Sequence, residues 1–238
     1  MKTILVIPTY NEVENIRRLI FALRALRLQN FHILVVDDNS QDGTWRIVQS
    51  LMKHDSKLHL LHRTTDRGRG SAGIAGYKKA LEMGADVICE MDADFSHDPK
   101  YLPSLLKGLH HADVVLGSRA VSGGRDVDRP LFRQLLTKLA NIYIAFILGL
   151  RVKDCNSGYR CFKHGVLEDI GLSNLTARGP GIVQEVLYRA HLRKFIIAEV
   201  PISFIERKKG RSKLGFFHLY QGYLLILKLK LLKLLGKL

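Results

Sequence analysis

Asp92 and Asp94 stand one residue apart in the stretch Ala85–Pro99, ADVICEMDADFSHDP. The apolar run Val87-Ile88-Cys89 before them has the length of a buried strand, and ligands of open α/β sheets gather at the carboxyl ends of strands. Two carboxylates so placed offer oxygen ligands to a divalent cation. Mg2+ or Mn2+ held this way keeps positions free for the oxygens of a diphosphate. Most such triplets are solvated turns, so the pair needs support from elsewhere in the chain. Two more apolar runs break into polar clusters, Thr3–Pro8 into Pro8-Thr9-Tyr10-Asn11-Glu12 and Phe31–Val36 into Asp37-Asp38-Asn39. In a parallel sheet these ends lie on one edge and form a single cleft. Tyr10 suits stacking on a flat base, and Glu12 and Asp38 can accept hydrogen bonds from a base or ribose. Independent polar turns would not explain why the residues are mostly carboxylates in a basic chain.

The elements that must position these groups read as alternating strands and helices. Helical periodicity runs through Asn15–Leu28 at Ile16, Leu19, Ile20 and Leu23. A helix near Thr44–Lys53 follows the turn residues Asp42-Gly43-Thr44, and a strand near Leu58–His62 comes next. Gly68, Gly70 and Gly73 surround the start of a helix running to about Met83. After the Asp92 strand come a helix beyond Pro99 and a strand at Asp113–Gly117. Repeated strand–helix units predict an α/β fold, with a mostly parallel, Rossmann-like sheet covered by helices on both faces.

The chain has 238 residues, 47% hydrophobic and 25% charged, which is a globular composition large enough for one substantial core. Its formal net charge of +15 calls for an anionic partner: nucleic acid, anionic lipid or phosphorylated substrates. Phe204–Leu238 alone holds nine Lys or Arg against one Glu. No RNA-binding motif is present, and the charge lies beside an amphipathic tail rather than among exposed aromatics, which argues against nucleic acid. Cys89, Cys155 and Cys161 lack metal-finger spacing and suggest free thiols in a reducing compartment. No signal peptide is visible, since the run Ile4–Ile7 is cut short by Pro8.

Taken together, PTYNE, VVDDNSQDGT, MDADFSH and LGSR resemble the inverting family-two glycosyltransferases of GT-A fold. Leu131-Phe132-Arg133 with Thr137, the run Asp154–Arg160 (DCNSGYR), and Pro201–Phe204 leading to Arg207–Lys213 are similar to the dolichol- or polyprenol-phosphate mannosyltransferases. The likeness spans roughly Met1 to Leu214. It implies a GT-A catalytic domain over residues 1–213 that moves a hexose from a nucleotide sugar, usually GDP-mannose, to a polyprenyl monophosphate with inversion. A UDP-glucose or other sugar donor is the alternative, and a GT-A-like nucleotidyltransferase is disfavoured by the acceptor-side motifs. By position, the nucleotide sugar falls to Pro8, Tyr10, Glu12, Val36, Asp38, Asp92, Ala93 and Asp94, with Arg207 and Lys213 closing over its diphosphate. Arg119, Arg133 and Thr137 correspond to the acceptor-phosphate contacts. The metal falls to Asp92 and Asp94. Ser96 stands where relatives often have Gln and is short enough to need a bridging water. Arg69 departs from the pattern too, for relatives usually carry an apolar residue there.

Two stretches bear on the membrane. Leu139–Leu150 is uncharged but, at twelve residues, too short to span a bilayer. It reads as a core helix or as a surface helix meeting the lipid. The tail, residues 214–238, has Lys230, Lys233 and Lys237 on about one quadrant of a helix, opposite a broad Leu/Ile face. That is the pattern of an interfacial helix, with docking onto the domain as the alternative. The expectation is a peripheral protein on the cytoplasmic face of a membrane; a partner membrane subunit is left open.

Overall fold

The computed structural model describes residues 1–206 and 216–238, and in the last helix the side chains from Gly222 onward. The chain begins with β1 (Thr3–Thr9), α1 (Ile16–Ala25), β2 (Phe31–Asp37), α2 (Thr44–Met52), β3 (Leu58–His62), α3 (Arg69–Glu82) and β4 (Val87–Glu90). It continues with α4 (Leu102–Gly108), β5 (Val114–Ser118), β6 (Arg125–Val127), α5 (Leu131–Leu148), β7 (Arg160–Lys163) and α6 (His164–Asp169). It ends with α7 (Ile182–Leu192), β8 (Ile197–Pro201), β9 (Ser203–Ile205) and α8 (Phe216–Leu234).

β1 is buried along its whole length because its alternate residues serve two cores. Ile4 and Val6 pack on the side of α3, α5, α7 and α8, while Leu5 and Ile7 face the side of α1 and α4. β1 pairs in parallel with β2 on one side and β4 on the other, in the sheet order β3-β2-β1-β4-β7-β5-β8. Strands are added to one side of β1 up to β3 and to its other side from β4 onward, and such a switch in strand order is where these folds open a ligand crevice.

The strand–helix alternation through β5 matches the sequence expectation. Beyond it the sheet changes character, and sequence periodicity had given no reading there. β7 enters between β4 and β5 and runs antiparallel to both. β6 and β9 form a separate parallel pair. β9 also meets the turn after Asp94, through the His97–Phe204 bridge and the hydrogen bond from Ile205 N to Ser96 O at 3.2 Å.

The apolar run expected over Leu139–Leu150 belongs to a longer helix. α5 starts at Leu131 and stops at Gly149, whose φ of 72° is the left-handed value that ends helices at glycine. Arg133, Thr137 and Lys138 stand before the apolar run, within the same helix. Asn141, Ile144 and Leu148 are its buried side, whereas Leu131, Phe132, Leu135, Leu139, Ile142 and Phe146 are exposed. α8 packs against α5 and α7, sinking Ile226 and Leu229 into the core. The last helix is therefore part of the domain's packing as well as a carrier of exposed leucines.

α3 reaches the sheet through Gly76, where an added Cβ would lie 2.4 Å from Val6 Cγ1 and 3.0 Å from Val36 Cγ2. Alanine there would gain about 1 kcal/mol of helix propensity, but overpacking against strand side chains costs about 1–3 kcal/mol. Val6 is wholly buried and has no room to retreat. Gly76→Ala should thus lower the urea midpoint, whereas Gly165→Ala, with nothing within 4 Å of its Cβ position, should hold or raise it.

Candidate active site

Strand ends supply the floor of the site. At the end of β2, Asp37 is fully buried and accepts hydrogen bonds from Thr9 Oγ1 at 2.9 Å, Ser40 N at 2.8 Å and Ser40 Oγ at 2.6 Å. Its role is to fasten the turn after β2 to β1. Asp38 is buried as well; it pairs with Arg63 and accepts from Gly68 N at 2.7 Å. Burial pushes its carboxyl above the usual value, against the pull of the Gly68 amide and Arg63. Asp38 thus ties β2 to the start of α3. The Arg67 guanidinium stacks 5.2 Å from the ring centre of Tyr10. Glu12 accepts from Asn15 Nδ2 at 2.8 Å, and its own amide donates to Thr44 Oγ1 at 2.9 Å.

The glycines before α3 serve close packing. Gly70 N donates to Arg178 O at 2.9 Å, and a Cβ on Gly70 would lie 2.6 Å from Arg178 C. The amides of Gly68 and Gly70 are therefore engaged within the protein rather than offered to a phosphate.

Beyond β4, Asp92 keeps 38% of its side chain exposed, while Ala93 and Ser96 are buried. Asp94 Oδ1 accepts from Ser96 N at 3.0 Å, which fixes the Asp94 carboxylate in a short turn two residues beyond Asp92. His97, five residues after Asp92 and given no role by sequence reading, lies under this turn. Asp92 N donates to its Nδ1 at 3.1 Å. Burial holds His97 below the ordinary histidine value despite the nearby charges of Asp92 and Asp94, which suits an accepting, neutral ring.

Asp92 has a cation beside it. Arg69 Nη2 lies 3.2 Å from Asp92 Oδ1, and Arg69 Nη1 lies 2.6 Å from Glu90 Oε1. The residue noted in the sequence only as a departure is thus in contact with a predicted metal ligand. Among the described residues no cluster of three or more His, Cys, Asp or Glu stands ready for a metal. Two part-exposed carboxylates fit a hard cation that completes its shell with water and substrate phosphate. A softer metal such as zinc would call for nitrogen or sulfur ligands.

Arg119 and Arg133 occupy different surroundings. Arg119 Nε lies 2.8 Å from Asp154 Oδ2 and its Nη2 lies 3.0 Å from Asp154 Oδ1, a forked and buried pair. Its guanidinium covers the Phe204 ring at 4.7 Å, and Phe204 in turn meets His97 edge-on at 5.7 Å. Arg119 therefore links the β5 end to the turn carrying the two aspartates. Arg133, half exposed in the first turn of α5, pairs with Glu206, and Thr137 follows one turn on. Val36 and Pro8 are buried strand-end residues that face each other in the β1–β2 register. Arg207 and Lys213 lie outside the described residues.

A half-Rossmann sheet whose switch point opens on an aspartate pair defines a GT-A-type transferase. The structure superposes with a TM-score of 0.68 on glucosyl-3-phosphoglycerate synthase from Mycobacterium tuberculosis in complex with Mn2+, UDP and phosphoglyceric acid. That likeness covers 98% of this chain and 78% of the other at 19% identity, and it supports the fold. The Glycosyl transferase family 2 model matches residues 4–171, and the chain belongs to that family. It is 41% identical over 216 residues to the undecaprenyl-phosphate mannosyltransferase of Micrococcus luteus, covering 90% of this chain and 88% of that one. It is also 41% identical to the polyprenol monophosphomannose synthase of Mycolicibacterium smegmatis, covering 90% and 81%. With the dolichol-phosphate mannosyltransferase of Pyrococcus furiosus it shares 37% identity, over 90% of this chain and 59% of that longer one.

The Arg119–Asp154 pair sets a stability test. Burial alone would raise the Asp154 pKa, but the Arg119 charge and its hydrogen bonds hold the carboxyl below the usual range. A depressed folded pKa gives stability that is full above the unfolded value of about 3.9 and lost as pH falls through the folded one. Asp154→Ala should cost about 3–5 kcal/mol by leaving a buried guanidinium unpaired. The wild-type advantage over Asp154→Asn, measured by denaturant titration, should shrink as the medium is taken below about pH 4.

Proposed function

We propose that this protein transfers mannose from GDP-mannose to a polyprenyl monophosphate, inverting the anomeric carbon to give a β-linked lipid phosphomannose. The observation that carries the reading is the meeting of two features at one sheet edge. The Asp92–Asp94 turn opens beside β9, and β9 leads to Glu206, the partner of Arg133 at the head of an apolar, outward-facing helix. A charged donor and a greasy acceptor need those two surfaces side by side. The mannosyltransferase names of its relatives support the choice of sugar and lipid.

The acceptor oxygen belongs to a phosphate already ionised at neutral pH, so the site must position it and need not deprotonate it. Arg133, with Thr137 one turn along, suits that task, since guanidinium binds phosphate through paired hydrogen bonds. Arg119, committed to Asp154, acts in this reading by fixing the wall beside the acceptor. Asp92 and Asp94 would hold Mg2+ or Mn2+, which would supply positive charge at the departing diphosphate. Arg207 and Lys213 would add to that charge. Tyr10, Glu12 and Asp38 line the nucleotide side, with Pro8 and Val36 beneath them. Ser96 donates its amide to Asp94 and, being buried, supports the metal turn from behind.

α5 and α8 form the lipid-facing side. Tyr143 packs edge-on against Tyr223, so the two helices present their exposed apolar residues together. α5 has 18 residues and is long and apolar enough to cross a membrane by those measures alone. Its Asn141, Ile144 and Leu148 are nevertheless docked along the domain, which favours a helix lying in the interface of the cytoplasmic leaflet. Lys228, Lys230, Lys233 and Lys237 would each add about 1 kcal/mol of attraction to anionic lipid at low salt.

Purified protein offered GDP-mannose, UDP-glucose and other nucleotide sugars with a polyprenyl phosphate should yield the mannosyl lipid. Efficient use of UDP-glucose with GDP-mannose idle would overturn the donor assignment. Asp94→Ala should lower turnover by at least about a hundredfold with the fold retained, because the lost carboxylate packs little core.

Arg133→Ala should raise the apparent KM for the lipid phosphate and leave GDP affinity by calorimetry nearly unchanged. An equal loss of GDP affinity would remove Arg133 from the acceptor side. For the membrane face, Leu139→Gln with Phe146→Ser should reduce flotation with anionic liposomes at unchanged thermal stability. Deleting residues 215–238 should instead lower stability as well, since Ile226 and Leu229 leave the core with them.

A further inference from the structure

Arg69 is the first residue of α3, and its guanidinium lies between two carboxylates from the end of β4. Glu90 and Asp92, two residues apart, both reach toward α3. Glu90 is wholly buried, and the Tyr77 hydroxyl, two turns along α3, donates to its other oxygen. Gly73, one turn after Arg69, lies beside the pair, where a Cβ would sit in ordinary contact at 3.5 Å from Arg69 Nη1 and 3.7 Å from Glu90 Oε1. Arg69 Nη1 and Glu90 Oε1 approach to 2.6 Å yet neither makes an aligned hydrogen bond, so charge rather than direction holds them. Arg69 is therefore moored at the rear by a carboxylate that cannot reach solvent and faces forward onto Asp92.

We propose that Arg69 is a positioning residue that serves as the resident counter-cation of Asp92, holding that carboxylate until a divalent cation arrives together with a nucleoside diphosphate. This rests on the metal reading of Asp92 and Asp94 given above. With the Arg69 guanidinium 3.2 Å from Asp92, that carboxylate already has a positive charge at its side, so a bare cation is held weakly. A cation already carrying a diphosphate brings its own negative charge, which the forward guanidinium N–H groups can then receive. The order of loading follows: diphosphate and cation enter as a unit, and the cation alone occupies the site only weakly.

The test is Mn2+ binding to the metal-free full-length chain, followed by electron paramagnetic resonance with and without GDP. Removing the Arg69 charge while keeping the buried balance, in Arg69→Met/Glu90→Gln, should tighten Mn2+ binding without GDP by about tenfold. It should also shrink the factor by which GDP enhances that binding. Arg69→Gln, which leaves the buried Glu90 without this arginine and is therefore the less stable of the two, should move both readouts the same way. Arg69→Lys, retaining the charge, should stay within about threefold of wild type. Unchanged or weaker Mn2+ binding in either neutral variant, folded by near-UV circular dichroism, overturns the proposal. Asp94→Ala separates the two claims. If it leaves Mn2+ binding at the wild-type level, the metal reading fails and this proposal with it. If it abolishes binding while the Arg69 variants are silent, the proposal alone falls.

Discussion

Carboxylates buried at the carboxyl edge of the sheet are held there by arginines from other segments, and the site depends on that pairing. Asp38 has Arg63, Glu90 and Asp92 share Arg69, and Asp154 has Arg119. A charge taken out of water without a partner costs several kcal/mol, so each of these acids fixes where an arginine must be, whereas Asp37 is satisfied by Thr9 and Ser40. The arginines in turn fix loops: Arg63 holds the turn after β3, Arg69 the start of α3, and Arg119 the junction of β5 with the loop before β7. The concentration of acids in a basic chain is thus in large part a framework of ion pairs, at the edge of which Asp92 and Asp94 stay partly exposed.

How much of this could be read from the chain depends on whether a signal was local. β1 to β5 and their helices were legible because buried parallel strands are continuous apolar runs and their helices have clear periodicity. β7, at four residues, and β9, at three, are too short to show a period. β7 is also antiparallel, which no local pattern announces. The aspartate turn and the strand-end clusters were legible as motifs. Asp37, in contrast, fastens the turn to β1, and only its folded partners Thr9 and Ser40 distinguish it from Asp38, which pairs with Arg63. His97 lay within a quoted motif, and its position under the turn depends on Phe204, more than a hundred residues away. Arg69 stood out as unusual, but its partners Glu90 and Asp92 become neighbours only when α3 crosses the sheet.

A chain of side-chain amides joins the apolar helix to the buried pair beside the site. Gln184 donates to Asn156 Oδ1 at 2.6 Å, Asn156 to Asn141 Oδ1 at 2.7 Å, and Asn141 to Asp154 Oδ1 at 3.4 Å. Asn141 is the buried polar residue on α5, so the helix is pinned in rotation where its apolar side turns outward. The same Asp154 holds Arg119. The seating of α5 and the placement of Arg119 are consequently both tied to one carboxylate.

α5 carries both Arg133 and the exposed stripe that ends near Phe146, and a helix advances about 1.5 Å per residue. The guanidinium and the far end of the stripe are therefore held roughly 20 Å apart on one rigid rod. In the proposed reading, with the rod resting in the interface, it would work as a gauge: the level at which the stripe settled would fix the height at which Arg133 meets a phosphate. Only a headgroup would be measured in this way, and the length of a polyprenyl chain extending away from the rod would go unmeasured.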